Sequence, residues 1–180
     1  MRRNPIWKNM TDPRVLIAYA TKYGTTKKIA KEIQDVLREK GIESDLINVM
    51  ETRGIETYDA VILGSPVYMG KMLVEARDFC THYEPFLKDR WFAVFVNGIS
   101  CCPPGSADTP SLIAAINEMS KYVRPTMKIG FAGAFSPTEL SEADAQIAGI
   151  VRPPVGDFRD HEAIRVWAQD VASGILESMP

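Results

Sequence analysis

Histidine is scarce: His82 and His161 are the only two in 180 residues. That is too few for a metal cluster or a histidine-based triad, and both read as surface residues on helices. Cysteine is nearly as rare, with Cys80, Cys101 and Cys102. An odd number with no secretory leader points to reduced thiols and a cytoplasmic address rather than a disulfide framework. No apolar stretch reaches bilayer length. The longest weakly charged one, "WFAVFVNGISCCPPGSA", is broken by Asn97, Gly98 and the pair Pro103-Pro104, so no transmembrane segment is expected. Residues 1–13 begin with Arg2 and Arg3 but carry no apolar run, which reads as a polar N-terminal extension. Charge of one sign is also lacking. A net charge of -2 supplies no basic stripe for nucleic acid and falls short of strongly acidic. There is no internal repeat and no low-complexity segment.

What is present is a globular composition, 46% hydrophobic and 24% charged, enough for one core and hence one domain over residues 14–180. Apolar runs of strand length recur at 15–20, 44–49, 60–64, 91–96 and 128–135, most without polar alternation, as strands buried on both faces read. Helical periodicity lies between them. Ile29, Ile33, Val36 and Leu37 share the face of a helix that ends near Gly41, and similar patterns occupy 72–88, 110–124 and 160–177. The last presents Ile164, Trp167, Ala168, Val171, Ala172 and Ile175 as an apolar stripe. Only 50–58 is too short for a crossover helix. Strands alternating with helices imply an α/β fold, a doubly wound five-stranded parallel sheet with helices on both faces.

Ligands of such sheets sit outside the carboxyl ends of the strands. Three loops lie there. The first, "TKYGTT", packs Thr21, Thr25 and Thr26 around Gly24, with Lys22 and Tyr23 between. Hydroxyl and backbone donors at a strand-to-helix turn suit a phosphate, although capping of the helix by Thr25 or Thr26 explains the same residues. The spacing is neither that of a P-loop nor that of a G-x-G-x-x-G fingerprint. Lys27 and Lys28 stand where a helix dipole disfavours cations, and they read as solvated side chains rather than ligands. In the second loop, Ser65 and Pro66 lead to Val67, Tyr68, Met69 and Gly70. These offer an aromatic wall and close backbone approach for a planar ligand, or else a plain stiffened turn. The third loop, 97–109, is long and rich in Gly and Pro, as functional loops often are. Its Cys101 and Cys102 read as two reduced side chains, with a vicinal disulfide or electron relay as the alternative. Cys80, inside an amphipathic helix, reads as core.

The first loop, with Thr21, Gly24 and Thr26 at the motif positions, resembles the phosphate loop of the flavodoxin superfamily, and the resemblance extends over residues 14–178. It implies strand order 2-1-3-4-5 and FMN, rather than FAD, at the switch point between strands one and three. The implied cofactor-binding residues are Thr21, Lys22, Tyr23, Gly24, Thr25 and Thr26 for the phosphate. Ser65, Pro66, Val67, Tyr68, Met69 and Gly70 are implied beside the reactive edge of the ring, and Asn97, Gly98 and Ile99 at its other polar edge. A peptide at Met69-Gly70 that reorients on flavin reduction belongs to the same expectation. No catalytic side chain and no metal ligand is implied.

Within the superfamily, "FAGAFSP" (131–137) and "GDFRDHEAIRVWAQDVA" (156–172) are similar to the flavodoxin-domain branch containing menaquinone-dependent protoporphyrinogen IX dehydrogenase. "GSPVYMGKM" (64–72) resembles the matching loop of flavodoxin-like quinone reductases. The resemblance implies an FMN oxidoreductase of the protoporphyrinogen-dehydrogenase or quinone-linked type, with a flavodoxin-type electron shuttle as the alternative. Its partner is then a redox donor or acceptor: a porphyrinogen, a quinone or an electron-transfer protein. Homo-oligomerisation is left open. The segment 138–156, "TELSEADAQIAGIVRPPVG", reads either as a substrate gate or as a long connection packed against the last helix.

Overall fold

A computed structural model describes residues 12–99 and 110–179. The strands are β1 (Val15–Tyr19), β2 (Ser44–Asn48), β3 (Ala60–Tyr68), β4 (Lys71–Met72), β5 (Trp91–Gly98) and β6 (Met127–Ala132), followed by the short β7 (Ala134–Phe135) and β8 (Gly156–Asp157). The five long strands pair in parallel in the order β2-β1-β3-β5-β6, with β4 folded back antiparallel on β3. Once that short strand is set aside, this is the expected order 2-1-3-4-5. Six helices accompany them: α1 (Thr25–Glu39), α2 (Val74–His82), α3 (Glu84–Leu87), α4 (Pro110–Met119), α5 (Glu142–Val151) and α6 (His161–Ser178).

Successive side chains of a strand point to opposite faces, and each face here has its own cover. Leu16, Ala18, Val61, Leu63, Val94 and Val96 pack beneath Phe79, Leu112 and Ile116 of α2 and α4. Val15, Ile17, Ile62, Ala93 and Phe95 pack beneath Ile29 and Ile33 of α1 and Ile164, Trp167 and Val171 of α6. Trp167 meets Phe95 and Phe131 edge-on, with ring centroids 6.1 and 5.9 Å apart, the arrangement that aromatic quadrupoles favour. Helix α1 stops where Gly41 suggested. The Gly41 N–H donates to the Arg38 carbonyl and the Ile42 N–H to that of Leu37, both at 2.9 Å, and Ile42 is buried, closing the helix end with an apolar contact.

Several boundaries differ from the sequence reading, each for a physical reason. Strand three runs past residue 64 to Tyr68 and contains Pro66. A proline fits there because β1 ends opposite Gly64 and β4 joins only at Val67, so at residues 65 and 66 β3 has a strand partner only on its β5 side. The helical pattern 72–88 splits: Met72 belongs to β4, and α2 ends before Pro85, which enters the first turn of α3 instead. The pattern 110–124 yields a helix only to Met119. The run 128–135 breaks at Gly133 into β6 and β7, and 50–58 holds a single 3-10 turn, Val49–Glu51, at its start. The segment 138–156 is not a bare connection, for it contains α5, whose N-cap Ser141 accepts from the Asp144 N–H. The proposed N-terminal extension lies outside the described residues up to position 11, while Pro13 is already buried against the body. No helix among the described residues is long and apolar enough to cross a membrane.

Arg159, between β8 and α6, anchors this last excursion. Its guanidinium bonds Asp157 and reaches Glu32 on α1 at 3.0 Å, and Glu32 also meets the ring of the exposed His161. Arg159 holds the Asp157 carboxyl down at about 2. Because the folded value is depressed, the stabilisation is complete above the unfolded value of about 3.9 and is lost as pH falls through about 2. Arg159→Met should therefore lower stability at neutral pH by about 1–2 kcal/mol. Denaturant titrations of the two proteins should converge as the pH approaches 2, and a constant difference down to that pH would exclude this carboxylate as the source.

Candidate functional site at the carboxyl edge of the sheet

Because β1 stops at Tyr19 while β3 continues, the loops after β1, β3 and β5 open together at one edge. The first is shaped by local hydrogen bonds. The Ala20 N–H donates to the Gly64 carbonyl at 2.9 Å, and the Gly24 N–H donates to Thr21 Oγ1 at 3.0 Å. Gly24 caps α1 in the left-handed region at φ 84°. A Cβ there would meet nothing within 4 Å, so the backbone conformation, not lack of room, favours glycine. The helix start carries no side-chain cap and no acidic residue in its first turn. Its first N–H groups and the positive end of its dipole therefore remain available to an anion. Lys27 and Lys28 point into solvent.

Thr26 is turned the other way. It is 1% exposed and its hydroxyl donates to Asn97 Oδ1, itself 4% exposed, at 2.8 Å. A hydroxyl has one proton to donate, so this Thr26 serves the docking of α1 onto β5 rather than a ligand. Ser65 is likewise fully buried, and its Oγ accepts from the Leu73 N–H at 3.0 Å. Pro66 is buried within β3. These side chains hold the loops in place, whatever part their backbone groups take toward a ligand. Thr21 and Thr25 remain partly exposed at the edge.

The second loop is a two-residue hairpin, with Tyr68 paired to Lys71 across Met69 and Gly70. Both central residues have positive φ, 49° and 75°, as a type I′ turn requires. Methionine is an unusual choice there, and its side chain is 90% exposed. Tyr68, 40% exposed, has its phenol pushed up to about 12 by burial first and by Tyr23 and Asp144 second. Val67 is half-buried, and at the end of β5 Gly98 and Ile99 are partly exposed. Cys101, Cys102 and the rest of 100–109 lie outside the described residues. Cys80 is fully buried, with its thiol pushed up to about 12, so it stays protonated and inert.

Asp144 is the residue that sequence reasoning missed. From the first turn of α5 it pairs with Lys22 Nζ at 2.5 Å and accepts from the Tyr23 hydroxyl. Those two bonds, Lys22 first, hold its carboxyl below the ordinary value. No spacing rule connects positions 22 and 144, so only the tertiary fold could reveal the pair. Lys22 Nζ also lies 5.2 Å from the Tyr68 ring centre, within cation–π range. Elsewhere, a broad groove at the opposite end of the strands runs past Tyr58, Arg90 and Trp91. Arg90 there is already bonded to the carbonyls of Glu56, Tyr58 and Phe86, which makes that groove structural.

Thr26→Val keeps shape but leaves Asn97 Oδ1 buried without its donor. It should destabilise the ligand-free protein by about 1–3 kcal/mol, whereas Thr25→Val should cost little. Urea unfolding of both variants checks this, and equal small effects would mean that water replaces the lost bond.

A family profile described as "Flavodoxin domain" matches residues 16–155. Among solved structures, the two-electron reduced flavodoxin of Megasphaera elsdenii superposes with TM-score 0.58 at 16% identity, covering 88% of this chain and 98% of that one. Flavodoxin 2 of Bacillus cereus gives 0.54 at 22% identity, over 89% of this chain and 99% of that one. Rubredoxin oxygen:oxidoreductase of Desulfovibrio gigas gives 0.57 at 16% identity over 92% of this chain, which spans only 37% of that larger one. No curated protein matches in sequence. The chain belongs to the flavodoxin-domain family, and with that membership comes FMN as the implied cofactor.

Proposed function

We propose that the protein is an FMN-dependent electron carrier whose loop 21–25 and first α1 N–H groups hold the cofactor phosphate. The observation behind this reading is the α1 N-terminus: uncapped, free of acids in its first turn, with open space beside Gly24 and the partly exposed Thr21 and Thr25 flanking it. A monophosphate fits such a set of donors without a buried cation. Tyr68, Met69 and Gly70 would flank one edge of the ring and the backbone of Asn97–Ile99 the other. FMN supplies the redox chemistry once bound. The chain's part is to position it, shield it and set its energetics.

The hairpin contributes to the last of these. Met69 in a left-handed conformation costs roughly 1–2 kcal/mol, and strain of this kind collects at ligand clamps. Gly70 allows the peptide between them to turn either way. Gly70→Val should then shift the flavin's potentials more than its affinity; unchanged potentials with lost folding would make Gly70 purely structural.

A second reading, an oxidoreductase with its own flat apolar substrate such as a quinone or porphyrinogen, draws on α5. That helix buries none of its residues, and Ile147, Ile150 and Val151 stay exposed, Ile150 at 82%. An apolar face left open beside the site suits a hydrophobic substrate. Replacing these three by Gln or Ser separates the readings. An enzyme should lose turnover of the apolar acceptor while small artificial acceptors are still reduced, whereas a carrier should keep all rates.

Titration of the ligand-free protein with FMN and riboflavin tests the cofactor assignment. Thr25→Val should weaken FMN by about 1.5–3 kcal/mol, the range for a hydrogen bond to a charged group, and leave riboflavin nearly unchanged. Equal weakening of the two would place the phosphate elsewhere.

A further inference from the structure

Residues 134–157 leave the sheet after β6 and return to it as a closed excursion. Its base is the β7–β8 ladder, with Ala134 opposite Asp157 and Phe135 opposite Gly156. Gly133, at the foot of that ladder, donates to the Gly98 carbonyl and accepts from the Phe158 N–H. The excursion is thus rooted beside the end of β5. Its far end is α5, and apolar packing does not hold α5 down, since no residue of the helix is buried.

Among the described residues, the polar contacts that fasten α5 to the body converge on one point of the first loop. Asp144 takes Lys22 and the Tyr23 hydroxyl, and that hydroxyl in turn accepts from the Ser141 N–H at 3.2 Å. The Asp144 side chain is 14% exposed, so its charge is partly desolvated and depends on these partners. Lys22 carries the link onward to the Tyr68 ring. One carboxylate therefore joins α5 to loop one and, through Lys22, to loop two.

We propose that α5 is a strap closed over the phosphate loop and that Asp144 is the positioning residue that fastens it, so that FMN enters and leaves only when the Asp144 contacts open. This rests on the reading that loop 21–25 holds the phosphate. It also accounts for Lys22, a cation in the loop whose charge is already matched by Asp144. The dianionic phosphate then meets backbone dipoles and hydroxyls, and Lys22 serves the closure.

The proposal is separable from simple electrostatics because the two predict opposite signs. Removing a negative charge near a dianion, and freeing Lys22, should by charge alone slow FMN release. Loosening a strap should speed it. Flavin fluorescence, followed in stopped flow with the full chain, reads both rates for Asp144→Asn and Tyr23→Phe. The strap requires association and dissociation both to accelerate, by about tenfold for Asp144→Asn, the factor corresponding to loss of one charge-assisted hydrogen bond. The Asp144→Asn, Tyr23→Phe double variant should be no faster than Asp144→Asn, since both act on the same closure. Melting of the ligand-free protein should fall only slightly, as for loss of one contact, because α5 buries none of its residues and its release leaves both apolar cores intact. Slower release, or unchanged rates in a protein whose FMN affinity still responds to Thr25→Val, would overturn the strap and leave the phosphate assignment standing. Failure of the wild-type chain to bind FMN would overturn both.

Discussion

The hydrogen bond from Thr26 to Asn97 is the constraint on which the functional edge depends. It crosses from the first turn of α1 to the end of β5, two elements 71 residues apart in the chain, and both partners are buried. With no alternative partner in a water-poor interior, breaking it leaves a carbonyl oxygen and a hydroxyl unsatisfied together. The register of α1 on the sheet is thereby fixed at its N-terminus, where the free N–H groups are. Apolar packing by Ile29, Ile33 and Leu37 could tolerate small slides along the helix axis. A directional bond tolerates far less, and its direction holds the helix start level with the loops after β3 and β5.

Electrostatics around that edge are arranged so that no side-chain anion occupies the α1 N-terminus. The first turn has no acid, and the nearest carboxylate in this cluster, Asp144, is engaged by Lys22 and Tyr23. Lys27 and Lys28 lie in solvent, where screening makes their unfavourable placement against the dipole cheap. The site thus has a net positive field from backbone alone. A net charge of -2 over the chain gives little long-range steering toward a basic partner; on the proposed reading, recognition would then fall to short-range contacts such as those of Tyr68, Met69 and the exposed face of α5.

The parallel sheet was legible because its central strands β1, β3 and β5 are buried on both faces and read as apolar runs, and α6 because its stripe from Ile164 to Ile175 keeps helical period throughout. The strand-to-helix turn proposed to hold a phosphate stands out in the sequence for a similarly local reason: three hydroxyls and a glycine in six residues at a strand end. Less visible was which way each hydroxyl turns. Thr25 and Thr26 are neighbours in sequence, yet one lies at the edge and the other is committed to Asn97, a distinction made by helix phase against a strand far along the chain. The same limit hid Asp144. Its helix has weak apolar patterning, so the segment read as a substrate gate or a long connection and not as a helix, and its partners stand on a loop that sequence separation gave no reason to bring near.

Left-handed backbone stands on both sides of the edge, at Gly24 and in the Met69-Gly70 turn, and the two places differ in what they imply. Gly24 satisfies its conformation at no steric cost, so the first loop holds its shape without backbone strain. Met69 does not; its backbone is held left-handed by the pairing of Val67 with Met72 and Tyr68 with Lys71 on either side. The edge therefore combines one unstrained wall with one strained wall, and α5, which buries none of its residues, is a third part that belongs to neither apolar core. On the proposed reading, the parts map onto separate tasks: the unstrained loop binds, the strained hairpin adjusts when the cofactor changes charge, and the polar-fastened helix controls passage. A single tightly packed cover could not do all three, because burying α5 into the core would couple cofactor exchange to global unfolding.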